Sequence, residues 1–189
     1  MEPEELLSIL HRAEKLKCNT RHSDTSSGRR ESVAEHSWRL SLMAMLIKDE
    51  FPEQDMDKVL RMCIIHDLGE AFTGDIPCFV KTDDDEKKEA GLLSQWVDSM
   101  PEPVRSEWKQ LYAEMDAQQT DEARIYKCLD NLEAVIQHDE ADLSSWLPLE
   151  YELQFTHGAE RVKCYPWLQK LKDTIDAETR SKIEKGNKT

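Results

Sequence analysis

The sequence contains few residues that interrupt helices, with six glycines and seven prolines among 189 positions. It also lacks a recurrent alternation of Val, Ile and Thr with polar residues, which is the pattern of half-buried strands. These absences favour a helical protein over a sheet. The length suits one hydrophobic core, so we expect an all-α, single-domain bundle over residues 1–189.

Positive charge and long apolar runs are also scarce. The chain has 25 Lys and Arg against 39 Asp and Glu, a formal charge of −14. This balance argues against nucleic acid or an anionic membrane as the main partner, although a small phosphate ester remains possible. No run of about 20 apolar residues is present, so we expect no segment that spans a bilayer. The first ten residues carry acids where a secretory signal carries bases.

The five cysteines show no CxxC spacing. Such isolated cysteines are typical of free thiols in a cytosolic protein, and we therefore expect a cytoplasmic location.

The stretch that organises the rest of the chain is residues 62–77, MCIIHDLGEAFTGDIP, with His66 and Asp67 at its centre. Burying an imidazole and a carboxylate without partners costs several kcal/mol. Adjacent helical side chains point about 100° apart, so this pair converges only near a helix end or around a shared ion. A divalent metal is the simplest such ion. The alternative is a core histidine with an ordinary partner, and an aspartate that caps the turn at Gly69.

Apolar residues at helical spacing predict a succession of helices. Those up to residue 138 should form the core, over about residues 6–138, with the later helices packing on it. The polar stretch 17–31 is expected to be a loop, either solvated or a phosphate clamp built from Arg21, Arg29 and Arg30. The Lys/Gly/Asn tail should be frayed. The predicted helices span, approximately, residues 3–16, 33–50, 55–67, 83–97, 103–115, 121–138, 149–157 and 166–183.

Two more polar residues interrupt apolar helical faces. His36 follows a capping-box pattern, Ser32 with Glu35, by one turn. Two apolar helices joined by a short loop should pack antiparallel, which would place His36 beside His66. Asp130 lies between buried-type leucines and needs a partner. Four potential metal ligands thus lie on three helices: His36, His66, Asp67 and Asp130.

This pattern resembles the HD-domain metal-dependent phosphohydrolases, whose signature is a histidine, a His-Asp pair and a distant aspartate. The resemblance covers roughly residues 6–138. The 5'-deoxynucleotidase branch is the most similar, on three pieces of sequence: Glu35-His36-Ser37, His66-Asp67 with Glu70, and Thr73-Gly74-Asp75-Ile76-Pro77.

The resemblance implies an all-α HD-domain bundle with a metal site in its core and the hydrolysis of (deoxy)ribonucleoside 5'-monophosphates to nucleoside and phosphate. It makes Glu70 and Asp75 catalytic, and it makes Arg21 and Lys81 substrate-binding by their positions. Relatives often carry a tryptophan after the arginine that packs on the sugar. Here His22 takes that place, so the preference for deoxyribose over ribose stays open.

The resemblance also bears on the cofactor and the assembly. Two-metal HD enzymes need extra histidines before the last aspartate, and residues 68–131 contain none. We therefore expect one divalent transition metal, and the nitrogen and carboxylate ligands suit Mn²⁺, Co²⁺, Fe²⁺, Ni²⁺ or Zn²⁺ better than Ca²⁺. Relatives commonly form homodimers, and we expect one here.

Two alternatives remain at this stage. One is an HD phosphohydrolase that acts on another small phosphorylated metabolite or a nucleoside triphosphate. The other is a non-catalytic HD binding module that uses its acidic surface and exposed aromatics such as Trp146 or Trp167. His138 and His157 are interpreted as ordinary surface or packing residues.

Overall fold

The computed structural model describes residues 1–186, and its regular structure is helical apart from one antiparallel hairpin. None of the helices in this described part is long and apolar enough to cross a membrane. The expected fraying of residues 187–189 lies outside the described residues. The elements are α1 Pro3–Ala13, β1 Thr20–Asp24, β2 Arg30–Ser32, α2 Val33–Leu46, α3 Met56–Ile65, α4 Glu70–Thr73, α5 Asp83–Asp98, α6 Val104–Ala117, α7 Asp121–Glu140, α8 Glu150–Thr156, α9 Ala159–Val162 and α10 Pro166–Gly186.

The all-α prediction is confirmed. Local caps begin several helices at the positions that the sequence predicted. The Ser32 side chain accepts a hydrogen bond from the Glu35 backbone N–H, and the Glu35 carboxylate accepts one from the Ser32 backbone N–H at 2.8 Å. Thr120 likewise caps α7. Helix ends are less well predicted. Helix α2 ends at Leu46 rather than near residue 50, because a 3-10 turn follows it.

The prediction of a loop over residues 17–31 is wrong, because β1 and β2 pair there as a hairpin. Gly28, at φ 79°, provides the left-handed conformation that the turn requires. The side chain of Gln137 on α7 donates to the Asp24 carbonyl at 2.8 Å and holds β1 against that helix. The hairpin therefore depends on a tertiary contact that local polarity does not reveal.

The core is built mainly where α2, α3 and α7 pack together. Each of these helices contributes side chains with no exposed surface: Val33 and Leu40 from α2, Val59 and Met62 from α3, and Ile125, Leu129 and Leu132 from α7. Because these faces meet, polar residues on the same faces are brought together inside the bundle.

Helix α10 fixes the short helix α8 through a buried lysine. The side chain of Lys172 is 2% exposed, and its Nζ donates to the carbonyls of Gln154 at 3.2 Å and Phe155 at 3.1 Å. It also pairs with Asp176. A cation near the C-terminus of a helix satisfies carbonyls that lack helical partners.

The expectation of exposed aromatics at Trp146 and Trp167 is wrong. Trp146 is 7% exposed, stacks on His138 with ring centroids 4.5 Å apart, and donates its indole N–H to the His138 carbonyl at 3.1 Å. Trp167 is partly buried against the core. Neither ring offers the open surface that a binding module would use.

Candidate metal centre

His66 and Asp67 lie directly after α3, which ends at Ile65, with His66 as its C-terminal cap. A helix running on to Glu70 would have placed Glu70 on the same side, but the chain turns first and α4 begins at Glu70. The side chain of Asn19 donates to the Glu70 carbonyl at 2.6 Å and holds this turn. The pair therefore converges at a helix end, one of the two arrangements that adjacent residues permit.

The structure brings the four predicted ligands together. His36 Nε2 lies 3.2 Å from His66 Nε2 and 3.0 Å from Asp130 Oδ1. His66 Nε2 lies 3.0 Å from Asp67 Oδ2. One ligand atom from each of His36, His66 and Asp67 lies within 4.8 Å of the others. Ligands on a common ion at about 2.0–2.2 Å stand roughly 3–3.5 Å apart, which matches the shorter separations.

The hydrogen bonds of the two imidazoles show why a cation fits between them. His36 Nδ1 donates to the Glu133 carboxylate, and His66 Nδ1 donates to the Cys63 carbonyl at 2.9 Å. With Nδ1 protonated, each neutral ring has a lone pair on Nε2, and the two lone pairs face each other. A metal ion accepts both, whereas without a cation they repel.

The surrounding charges favour a positive charge at the same point. Burial alone lowers the pKa of His66, but Asp67 and Asp130 outweigh it and raise the pKa to about 10. Burial and Arg21 lower the pKa of His36, but Glu133 and Asp130 outweigh them, so the net shift is upward. A proton or a metal ion supplies this charge, and the two compete for the imidazoles.

A cavity of about 400 Å³ adjoins the cluster, lined by Asp67 and Asp130 and by the predicted catalytic and substrate residues Glu70, Asp75, Arg21 and Lys81. Arg21 faces inward, with Nε 3.2 Å from Glu31 Oε2 and Nη1 3.8 Å from Asp67 Oδ2. The other two arginines of the expected clamp do not join it.

Arg29 and Arg30 are exposed and pair with acids outside the cavity. Arg29 binds Glu35 through two nitrogens, at 2.5 and 2.9 Å, and Arg30 Nε lies 3.4 Å from Asp24. The clamp of three arginines is one of two interpretations of this stretch. It is wrong in extent, because the hairpin directs only Arg21 into the cavity.

The two carboxylates predicted to be catalytic are withdrawn from solvent. Glu70 is 7% exposed, and burial together with the charges of Asp67 and Asp75 raises its pKa to about 9. Burial also raises the pKa of Asp75. Gly74, at φ 76°, makes the turn that leads Asp75 to the cavity. Lys81 Nζ, on the same cavity, bonds Glu89 at 3.0 Å.

Sequence reasoning missed two residues on α7. Lys127 Nζ bonds the second oxygen of Asp130 at 2.7 Å, and Glu133 accepts from His36. Lys127, Asp130 and Glu133 recur every three residues, so they share one side of the helix. A charged residue one turn after Asp130, on an apolar face, was the signal that could have revealed Glu133.

The interpretation of His138 and His157 as ordinary surface or packing residues stays a prediction, and both of these side chains line the cavity. His138 Nε2 lies 3.5 Å from Glu150, whose other oxygen lies 3.0 Å from His22 Nε2. His157 Nε2 bonds Asn131 at 2.7 Å. Burial lowers the pKa of His138 and of His157. Helix α8 and its C-terminal cap, His157, thus complete the cavity wall.

Comparison with known proteins fits this geometry. A family model described as HD domain matches residues 13–172. The chain belongs to the HD-domain family. The human 5'-deoxynucleotidase HDDC2 is 29% identical over 157 residues, 82% of this chain and 76% of the relative. The bovine 5'-deoxynucleotidase HDDC2 is 31% identical over 155 residues, 81% of this chain and 74% of the relative.

A solved structure supports the same HD-domain assignment. The crystal structure of a predicted metal-dependent phosphohydrolase from Magnetospirillum magnetotacticum superposes with a TM-score of 0.82 at 25% identity, covering 95% of this chain and 93% of the other. The resemblance found in the sequence is confirmed, and the chain is a metal-dependent hydrolase of the HD-domain family.

Proposed function

We propose that this HD-domain chain hydrolyses (deoxy)ribonucleoside 5'-monophosphates to nucleoside and phosphate. The observation that carries the proposal is the ligand cluster, which reaches the wall of a cavity through Asp67 and Asp130. Arg21, Glu70 and Asp75 line the same cavity. A cavity of about 400 Å³ suits a small-molecule substrate. The names of the human and bovine relatives support a nucleotide as that molecule.

We assign the metal to His36, His66, Asp67 and Asp130. When bound, a divalent ion supplies Lewis acidity to the phosphate and lowers the pKa of its water. Two imidazole nitrogens and two carboxylates suit one ion from the group Mn²⁺, Co²⁺, Fe²⁺, Ni²⁺ and Zn²⁺.

Arg21 is proposed to bind the phosphate. Its guanidinium lies beside Asp67, so it can neutralise a phosphate oxygen next to the metal ligands. Lys81 is proposed as a second, weaker contact, since Glu89 already holds its Nζ.

Glu70 and Asp75 are proposed to handle protons. A buried carboxyl with a raised pKa can accept and release a proton near neutral pH, and a neighbouring divalent cation would lower the Glu70 pKa towards that range. We assign to Glu70 the orientation or deprotonation of the attacking water. Asp75 would protonate the leaving 5'-oxygen or hold a sugar hydroxyl.

The rest of the cavity is proposed to hold the nucleoside. One face of α7 lines it from Lys127 past Asp130 to His138. At about 1.5 Å per residue, His138 lies roughly 12 Å beyond Asp130, which leaves room for a sugar and a base. The apolar lining supports this use: Phe79, Val135 and Leu153. His22 packs edge-on against Phe79, and the choice between deoxyribose and ribose would be made beside it.

A phosphate-release screen tests the proposal. The metal-stripped protein is supplied with each of the five metals and with deoxy- and ribonucleoside 5'-monophosphates, nucleoside triphosphates and sugar phosphates. We expect release from the nucleoside monophosphates. Release only from triphosphates or sugar phosphates would favour the alternative HD phosphohydrolase, and no release under any combination would contradict the proposal.

We also propose a homodimer. Trp38, Met45 and Leu46 lie on one face of α2 and are 66%, 58% and 74% exposed, and grouped exposed apolar side chains mark candidate interaction surfaces. Light scattering after gel filtration should give the mass of two chains, and Trp38→Glu should shift it towards one.

Two further proposals concern organisation and location. We propose that residues 1–189 form a single HD domain, because α10 packs on α7 of the core. We propose a cytoplasmic location, because the five cysteines are free and two of them, Cys63 and Cys128, are buried.

A further inference from the structure

Glu133 is a fully buried carboxylate, with 0% of its surface exposed, one turn after Asp130 on α7. A buried carboxylate is costly unless it is paired and hydrogen-bonded. Glu133 has two partners, both on α2: Oε2 accepts from His36 Nδ1, and Oε1 accepts from Arg39 Nε at 2.6 Å. Two helices thus meet at this side chain, and one of its partners is a proposed metal ligand.

The contact determines which nitrogen of His36 faces the metal ligands. An ionised carboxylate can only accept, so His36 Nδ1 must carry the proton. The lone pair of the neutral ring then lies on Nε2, the atom 3.0 Å from Asp130 and 3.2 Å from His66. Glu133 selects the tautomer that can bind a metal. Its negative charge also makes His36 Nε2 a stronger electron-pair donor to the metal.

His66 is held differently. Its Nδ1 donates to the neutral backbone carbonyl of Cys63 at 2.9 Å, so its orientation depends on the main chain. Of the two histidine ligands, only His36 has its Nδ1 held by a charged side chain, so a single substitution can test that dependence.

Arg39 keeps Glu133 in place. It lies one turn after His36 on α2 and bonds both Glu133 and, through Nη1 at 2.5 Å, the more exposed Glu140. Its positive charge compensates the buried carboxylate when His36 is neutral, which is the state that a metal requires.

We propose that Glu133 is a positioning residue that sets the tautomer and basicity of His36 for metal binding, and that Arg39 orients Glu133. This inference rests on the proposed metal site. Its test therefore reads metal affinity directly, separately from phosphate release.

The experiment titrates metal-stripped protein with Mn²⁺ and with Zn²⁺ in a calorimeter. Glu133→Gln keeps the size of the side chain and removes its charge. We expect its dissociation constant to rise about 10–100-fold, the usual effect of losing such a partner. Arg39→Gln should shift the dissociation constant in the same direction by less. Glu140→Gln removes only the outer partner of Arg39 and should leave it unchanged.

A second readout is the imidazole ¹H–¹⁵N spectrum of the metal-stripped protein, recorded at a pH above the raised pKa of His36, where its ring is neutral. The native His36 signal should report a protonated Nδ1, and in Glu133→Gln it should move towards a mixture of tautomers. A purely structural role would not produce that change.

Unchanged metal affinity and tautomer in a folded Glu133→Gln would overturn the inference. If that variant does not fold, a folded Arg39→Gln with native affinity would overturn it. Failure of the native chain to bind metal would instead refute the proposed function, so the two failures are distinguishable.

Discussion

Arg21 Nη1 lies 3.8 Å from Asp67 Oδ2, so a guanidinium directly adjoins a proposed metal ligand. The same side chain is anchored by Glu31, at 3.2 Å from Nε, and is only 16% exposed. This anchoring holds a positive charge at the cavity wall before any substrate binds. A phosphate that reaches the metal would therefore meet a preorganised cation, which costs less than ordering a mobile one.

We predict that Arg21→Ala lowers kcat/KM for nucleoside monophosphates by about 10²–10³-fold, the usual effect of removing one preorganised donor. Metal content should stay native, because Arg21 is not a ligand. Arg30→Ala is the matched control, since Arg30 lies on the same hairpin but pairs with Asp24 outside the cavity. Equal losses of kcat/KM in both variants would show that the effect comes from a disturbed hairpin. That result would contradict a role of Arg21 in phosphate binding.

Glu70→Gln should lower kcat by about 10²–10⁴-fold, the range of general acid-base assistance. Bound metal should be retained, as elemental analysis would show. Glu160→Gln, with 84% of its side chain exposed on α9, is the control and should match the native protein. Native turnover in Glu70→Gln would exclude a proton-transfer role.

Asp75→Asn separates the two proposed roles of Asp75. If this carboxyl protonates the leaving oxygen, the loss of kcat should be large for a nucleotide and small for p-nitrophenyl phosphate, whose leaving group needs no proton. If it instead holds a sugar hydroxyl, removing that hydroxyl from the substrate should reduce the effect of the substitution. Equal losses on p-nitrophenyl phosphate and on every nucleotide would contradict both roles.

Asp139 should give stability a pH dependence away from the metal site. Burial raises the pKa of this carboxyl, although Thr179 donates to it at 2.6 Å. Because the pKa of Asp139 is raised in the folded state, the stabilisation from its carboxyl is complete below the unfolded-state pKa of about 3.9. That stabilisation is lost as the pH rises through the folded-state pKa. Asp139→Asn has no such loss. The Tm of this variant minus the Tm of the native protein should therefore be larger at pH 7 than at pH 4.

Thermal unfolding at the two pH values measures this gain. Asp84→Asn, with 97% of the side chain exposed on α5, is the control for the loss of a surface carboxylate. The same Tm difference at pH 4 and pH 7 for Asp139→Asn would contradict the prediction.

The sequence predicted what depends on local pattern. Helical spacing located the main helices, and the capping pair Ser32 and Glu35 located the start of α2. The apolar faces interrupted by His36 and Asp130 indicated that polar groups would meet inside the bundle, and the structure places their nearest atoms 3.0 Å apart.

Features that depend on tertiary contacts could not be read in the same way. The hairpin requires Gln137, more than a hundred residues away, to bond Asp24. Glu133 interrupts an apolar face of α7, but its pairing with His36 and Arg39 depends on how α2 packs against α7. His138 reaches the cavity wall together with Glu150 of α8, a helix that Lys172 of α10 holds in place.

The most direct test of the central claim is the metal content of the chain and of its ligand variants. Native protein, His66→Ala, Asp67→Asn and Asp130→Asn are each stripped, reloaded with Mn²⁺ or Zn²⁺, dialysed and measured by elemental analysis, with folding checked by circular dichroism. His11→Ala, an exposed histidine on α1, is the control. We expect one ion per chain in the native and control proteins and none in the three ligand variants. One ion per chain in folded His66→Ala and Asp130→Asn would contradict the account.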